Sequence, residues 1–492
     1  MGVLYGASPR HWHRTTHADM RQAAFFSSAL AISLLGCVAA QAAELTSHQT
    51  LGREIYRELI ETDTTHPTGD TTVAAEMLAR RFRRAGFPEA DIHVVGPTPR
   101  NKNLVVRYRG TGAHTPVVLL AHLDVVEAKR EDWSLDPFKL TERDGFFYGR
   151  GTSDNKDGAT ALSAALLRLR QEHFRPNRDL VLALTAGEEA GADYIGAQWL
   201  LRNRPKLVEG GLCLNADSGG ASKRGGKRLA FEVQAAEKIY LSFRLEARSP
   251  GGHSALPTKD NPIYRLAEGL ARLSRYEFPV RLNEITRGYF EKMSTIETGQ
   301  TAKDMQGVLL TPPDPQATRR LSTTPAYNAL LRTTAVATML EGGHAEGALP
   351  QTARATVNCR LLPDESPKQL EETLRRVLAD DRISLAPIEP PQLSPASPLM
   401  PDILSAIERA KEKVWPGLPI VPMMDYGASD GLFFRQAKIA TCGINGTAVD
   451  LDDIRWHGQD ERVAVMDFFE SLEFQYQLVR AIAAETNNGT TP

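Results

Sequence analysis

At 492 residues the chain is too long for one ordinary hydrophobic core, so two or three domains are expected. A formal net charge of −2 with 24% charged residues gives no basic field for nucleic acid or an anionic membrane. Cys37, Cys213, Cys359 and Cys442 form no CxxC pair and no disulfide framework, and the last three sit in apolar runs that read as buried thiols.

Residues 1–43 read as an export signal. Arg21 precedes an apolar stretch from Ala23 to Ala40, and Ala40-Gln41-Ala42 offers a small-residue cleavage site. The stretch is short for a membrane span. The residues before Met20 are polar and His-rich, so Met20 is an alternative start. Leu34 to Cys37 also resembles a lipobox, and lipidation at Cys37 is the alternative to plain secretion, the only route to a membrane. Either way the mature protein is expected in the periplasm or outside the cell.

From Glu44 helix and strand alternate. Leu51, Ile55 and Leu59 recur at helical spacing, as do Val73, Met77, Leu78 and Phe82, the latter helix stopped by Gly86. The strand-like VVLLA (117–121) leads to a helix from about Gly158 to Arg170 and then to LVLALTA (180–186). This is the pattern of an α/β domain, a sheet covered on both faces, spanning 44–236. Near Glu237 the pattern changes. Ile239, Leu241, Phe243 and Leu245 alternate strictly, as do Ala355, Val357, Cys359 and Leu361, with helices at Pro262–Ser274 and Pro367–Ala379. Two amphipathic strands and two helices predict a small α+β sandwich over 237–386 with one open sheet face. A Pro-rich linker from Pro387 to Pro401 precedes a return to α/β structure over 387–492. The sandwich is therefore an insertion in the first domain.

Five candidate metal ligands punctuate the α/β parts: His122 in LLAHLDVV, Asp154 in GRGTSDNKDG, Glu189 in LTAGEEAG, Asp217 in LNADSGG and His457 in RWHGQDER. Nitrogen and oxygen donors delivered to strand ends suit a hydrolytic zinc centre. Asp124, two residues beyond His122, can turn back to hydrogen-bond the far nitrogen of that ring. Asp154 leaves a glycine-flanked turn just before a helix, and its two oxygens can bridge two cations. Glu188 and Glu189 point in different directions, so one can ligate while the other moves protons. Each motif alone also reads as a capped turn or solvated loop; five in this order do not.

The set resembles the M20 family of co-catalytic zinc peptidases, which includes carnosinase-like dipeptidases, carboxypeptidases, aminoacylases and succinyl-diaminopimelate desuccinylases. The resemblance implies two Zn²⁺ ions, with Mn²⁺ or Co²⁺ as alternatives: His122, Asp217 and the bridging Asp154 hold one, and Glu189, His457 and Asp154 the other. It implies Asp124 as orienter of His122, Glu188 as general base, and a zinc-peptidase-like catalytic domain with a central mixed sheet flanked by helices. The inserted module resembles the family's lid or dimerisation domain. Its segment SPGGHSALP implies that His253 stabilises the oxyanion, reaching across a homodimer, and Arg360 in VNCRLLP matches a residue that takes the substrate's carboxylate. Gly427, Ala428 and Ser429 match a loop closing over the substrate end. The segment from about Glu284 to Thr324 is an extra length within the lid. The resemblance implies Asp or Glu at the position of Asp217, Asp tending to go with dipeptidase-like members and Glu with aminoacylase and glutamate-carboxypeptidase members. Asp217 therefore favours a dipeptidase, with carboxypeptidase or N-acyl-amino-acid hydrolase as the alternative and an inactive periplasmic binding protein outside the enzyme class.

Overall fold

The computed structural model describes residues 44–66, 68–190 and 195–484; the expected export signal and Cys37 lie outside them. Runs read as uninterrupted apolar strands form the buried centre of a ten-stranded mixed sheet. Val117–His122 pairs in parallel with Leu180–Thr185 on one side and Leu212–Asn215 on the other, and Ala440–Gly443 follows in the same direction. Every residue of the first two strands is buried, as strands covered on both faces must be. Antiparallel Asn103–Tyr108 and Ile92–Val95 extend one edge. Lys227–Glu237, Gly220–Arg224 and Val449–Asp450 extend the other, and Ile420–Asp425 lies parallel to Lys227–Glu237.

The period of two along each strand divides the core into two layers. Leu119, Ala121, Leu182 and Leu184 face Ile55, Leu59, Leu162, Ile407 and Phe468 from the long helices, while Val118, Leu120, Val181 and Ala183 face Leu200 and Phe434. The first helix, Ser47–Ile60, begins on a capping box between Thr46 and Gln49, and the second, Thr71–Arg84, on the Asp70 carboxylate. Cys213, Cys359 and Cys442 are buried free thiols.

A second sheet follows the predicted change at Glu237. It has four antiparallel strands rather than two, in the order Thr334–Gly342, Thr352–Leu361, Ile239–Arg248, Ile383–Pro387. Phe243, Leu245, Val357 and Cys359 point into a core sealed by Leu266 and Leu374 of helices Pro262–Leu273 and Pro367–Leu378. The opposite face carries Tyr240, Ser242, Arg244, Thr356 and Arg360, all lining a cleft shared with the first sheet. The extra segment folds into three helices, Glu284–Ile296, Gly299–Val308 and Pro315–Leu321, and a fourth, Pro325–Leu331, follows it directly. They belong to the first sheet's surroundings: Tyr289, Phe290 and Met293 pack on Ala230, Ala236, Val421 and Met424.

Candidate metal centre and cleft

The carboxyl ends of the central parallel strands are where an open α/β sheet presents its side chains. His122 is the last residue of its strand, Glu188 and Glu189 follow the turn after Thr185, and Asp217 follows Asn215. Asp154 enters from the loop before helix Lys156–Gln171, and His457 from a turn in which it adopts a φ of +60°, an unusual conformation for a non-glycine residue.

These six side chains converge. Nε2 of His122 lies 3.1 Å from Asp154 Oδ1 and 3.3 Å from Asp217 Oδ1. Nε2 of His457 lies 2.9 Å from Glu189 Oε1 and 3.1 Å from Asp154 Oδ2, so Asp154 faces both imidazoles with different oxygens. Two donor sets result, His122 with Asp154 and Asp217, and Asp154 with Glu189 and His457, each with its ligating atoms within 4.8 Å of one another. Glu188 completes a third grouping with His122 and Glu189.

Asp124 serves the site differently from the sequence-based expectation. The Nδ1–H of His122 donates to the backbone carbonyl of Asp124 at 2.9 Å, whereas the carboxylate is 3.8 Å away. That carboxylate instead accepts the backbone N–H groups of Gly187, Glu188 and Glu189 at 2.8, 3.2 and 2.9 Å. It fixes the turn carrying both glutamates, while the carbonyl occupies Nδ1 and leaves Nε2 facing the Asp154 and Asp217 carboxylates.

Glu461, only four positions from His457, gave no signal in the sequence. Fully buried, it accepts from Arg150 Nη1 at 2.7 Å, from Gly151 N–H at 3.1 Å and from Ser153 N–H at 2.7 Å. It thereby ties the Asp154 loop to the His457 loop. Asn155 ties the same loop to the Asp217 turn by donating to the Ala216 carbonyl at 2.6 Å. Thr185 donates to Asp430 at 2.6 Å beside the glutamate turn.

The centre carries excess negative charge. Burial pushes Asp217 and Asp430 up to about 7 and Glu188 well above the usual carboxylate range. Burial opposes protonation of His122, but Asp217 and Asp154 outweigh it and raise the imidazole. Hydrogen bonds to Asp154 and Glu189 raise His457 to about 10. Burial presses Asp154 upward, and the two histidines reverse that and hold it below its ordinary value. Crowded carboxylates and imidazoles of this kind fit hard or borderline divalent cations.

The remaining expected residues divide. Arg360 reaches the cleft, its guanidinium 4.6 Å from the Tyr240 ring centroid, and forms no ion pair among the described residues. Gly427 and Ser429 line the cleft, but the Ser429 hydroxyl is used inside the fold, donating to Glu237 at 3.0 Å and accepting from Asn215 at 3.2 Å. These bonds hold the loop at 427–429 to Glu237 and Asn215. His253 is exposed on a two-stranded ribbon, Gly252–His253 with Ala348–Leu349, and is absent from the cleft lining within one chain.

Such a cluster at the head of a cleft defines a metal-dependent peptidase or amidohydrolase. The chain belongs to peptidase family M20/M25/M40, whose model matches residues 118–481. It is 28% identical over 383 residues to the human N-fatty-acyl-amino acid synthase/hydrolase PM20D1, covering 74% of each chain. It is 25% identical over 415 residues to the probable carboxypeptidase S-like 2 of Dictyostelium discoideum, covering 81% of this chain and 78% of that one. The crystal structure of human carnosine dipeptidase 1 shares the fold, with a TM-score of 0.62 at 17% identity over 89% of this chain and 96% of that one. The family's metal dependence agrees with the donor sets.

Proposed function

We propose that the protein hydrolyses the amide bond of N-acyl amino acids that carry a free carboxylate. The observation that carries this reading is one continuous cleft of about 1450 Å³ that joins Glu188, Asp154, Glu189, Asp217 and His457 to Arg360, which forms no ion pair among the described residues. A cleft of that size is above the ~300–1,000 Å³ of ordinary small-ligand sites and far exceeds a dipeptide. The similarity to N-fatty-acyl-amino acid hydrolases supports the acyl reading over the free-amine dipeptidase that Asp217 suggests.

His122, Asp154 and Asp217 would hold one cation and Asp154, Glu189 and His457 the other, two Zn²⁺ in the first instance. When bound, the pair supplies Lewis acidity toward the scissile carbonyl and an acidified water. Glu188 takes the proton of the attacking water and returns it to the leaving amine, a role that its raised pKa suits. Arg360 anchors the carboxylate with a guanidinium held by Tyr240. Asp124 and Glu461 keep the glutamate turn and the two ligand loops in place. His253 would serve the oxyanion from a second copy, a homodimer in which each second sheet faces its partner's cleft. The apolar stretch at 23–40 and the small-residue site at 40–42 support export to the periplasm or medium, which cell fractionation tests.

The test compares zinc-loaded protein on N-acyl amino acids and on free L-dipeptides with the same C-terminal residue. Faster turnover of the acylated series is expected. Preference for the free dipeptides would return the assignment to a dipeptidase, and inactivity on both would sink the hydrolase reading.

A further inference from the structure

We propose that the helical segment 284–331 builds an acyl-chain chamber onto the cleft, with Tyr289, Tyr327 and Leu330 setting the length of chain accepted. This deepens the N-acyl amino acid reading and rests on it.

The segment is a fixed wall. Helix Glu284–Ile296 starts on a capping box at Asn283, and Phe290, Met293 and Leu331 are buried against Ala230, Ala236, Val421 and Met424 of the first sheet. From this wall Tyr289, Ala326, Tyr327 and Leu330 line the cleft, together with Met423 and Ile454. The wall begins close to the centre. Glu232, beside Tyr289, pairs across strands with Gly220, immediately beyond the Asp217–Gly219 turn, and paired strands lie about 5 Å apart.

The charged groups around this wall are consumed by one another. Arg224 pairs with Glu297 at 2.9 Å, and the Tyr327 hydroxyl reaches the same carboxylate at 3.5 Å. Lys223 pairs with Asp467, and Arg455 and Arg462 both reach Asp453 at 2.7 Å. Burial pushes Glu232 up to about 7, toward the neutral form that apolar surroundings favour. The second sheet's face is the opposite case, since neither Arg360 nor Arg244 forms an ion pair among the described residues. One wall of the cleft therefore offers guanidinium groups to an anion, and the other offers aromatic and aliphatic surface with its charges compensated. A molecule with a carboxylate at one position and a hydrocarbon chain at another matches both. A short acyl group or a second amino acid would leave the wall formed by 284–331 in water.

Each methylene seated in such a chamber should raise kcat/KM roughly fourfold, the equivalent of ~0.8 kcal/mol, until the chamber is full. The experiment is a chain-length series on the purified metal-loaded protein: N-acetyl-, N-octanoyl-, N-dodecanoyl- and N-hexadecanoyl-phenylalanine. The wild type is expected to rise with length and then level off. Leu330→Trp should level off at a shorter chain and lower the dodecanoyl-to-acetyl ratio of kcat/KM about tenfold or more. Tyr327→Ala, a second variant independent of whether the tryptophan is accommodated, should move the plateau to longer chains. Hydrolysis by the wild type with no dependence on length, or wild-type length profiles in both variants, would overturn the chamber and leave the amidohydrolase standing. No hydrolysis of any acyl length by the wild type would overturn the proposed function and the chamber with it.

Discussion

The carboxylate of Asp124 accepts the backbone N–H of Glu189 at 2.9 Å, so a residue beside the strand end that carries His122 holds the turn that brings Glu189 to the other candidate donor set. The same carboxylate holds Gly187 and Glu188, and the Asp124 carbonyl holds the His122 ring. One residue thus couples the His122 side of the centre to the Glu188–Glu189 turn.

Asp124→Ala should lower both metal affinity and kcat/KM by roughly 10- to 100-fold, the usual cost of losing a partner of the ligating groups. His122 keeps its backbone partner in this variant, so the loss should concentrate at the set containing Glu189. Competition titration with a chelating dye reads the two affinities, and unchanged affinities would remove Asp124 from the positioning role.

Glu461→Ala should cost stability as well as function. It leaves the buried Arg150 guanidinium unpaired and frees the Gly151 and Ser153 amides, and breaking a buried pair typically costs about 3–5 kcal/mol. Thermal unfolding of the metal-free protein checks the first effect. Weaker binding at the Asp154–Glu189–His457 set checks the second.

The contribution that the centre's own carboxyl groups and His457 make to stability without metal should fall as pH rises, against the opposite trend of the buried Lys156 and Lys238, whose pKa values burial lowers to about 7. Asp217 and Asp430 titrate near 7 in the fold, above the ordinary 3.8, so the folded chain binds more protons than the unfolded one between those values. Their contribution is fully present below about pH 3.8 and is lost as pH rises through about 7. His457, raised from 6.5 to about 10, adds a loss across the higher window. Cations need the deprotonated ligands and replace those protons. The increase in Tm on adding zinc should therefore grow from pH 5 to pH 9, and a constant increase would contradict these shifts.

Arg360→Ala should lower kcat/KM about 10- to 100-fold on substrates with a free carboxylate, the range of a charge-assisted hydrogen bond. Substrates with that group amidated should already be poor and should lose little more. An equal loss on both would point to a structural role beneath the stacked Tyr240.

The dimeric reading of His253 is tested by complementation. Glu188→Ala and His253→Ala proteins, each inactive alone, should recover roughly a quarter of wild-type activity when their subunits exchange in a symmetric dimer. No recovery despite proven exchange would leave His253 without a catalytic role.

Much of this was legible in the chain because burial leaves periodic marks. VVLLA and LVLALTA announced fully covered strands and hence strand ends where His122 and the glutamate pair emerge. Alternation at 239–245 and 355–361 announced a sheet with one open face. Thr334–Gly342 went unread because it is an edge strand exposed on both faces over most of its length, which removes the period of two. The packing of 284–331 onto the first sheet was hidden because its partners, Ala230 and Val421, are far away in sequence. Glu461 was invisible for a related reason, since its partners, the Arg150 guanidinium, the Ser153 hydroxyl and the amides of Gly151 and Ser153, lie in a loop more than 300 residues away. Asp124 was noted for its side chain, but which of its groups faces His122 depends on how the strand end turns.

The most direct test of the central claim is turnover and metal content of Glu188→Gln measured together on an N-acyl amino acid. Retention of the metal complement with a fall in kcat of about 10²- to 10⁴-fold is expected for loss of a general base. Full activity in the metal-loaded variant would contradict the assignment of proton transfer to Glu188.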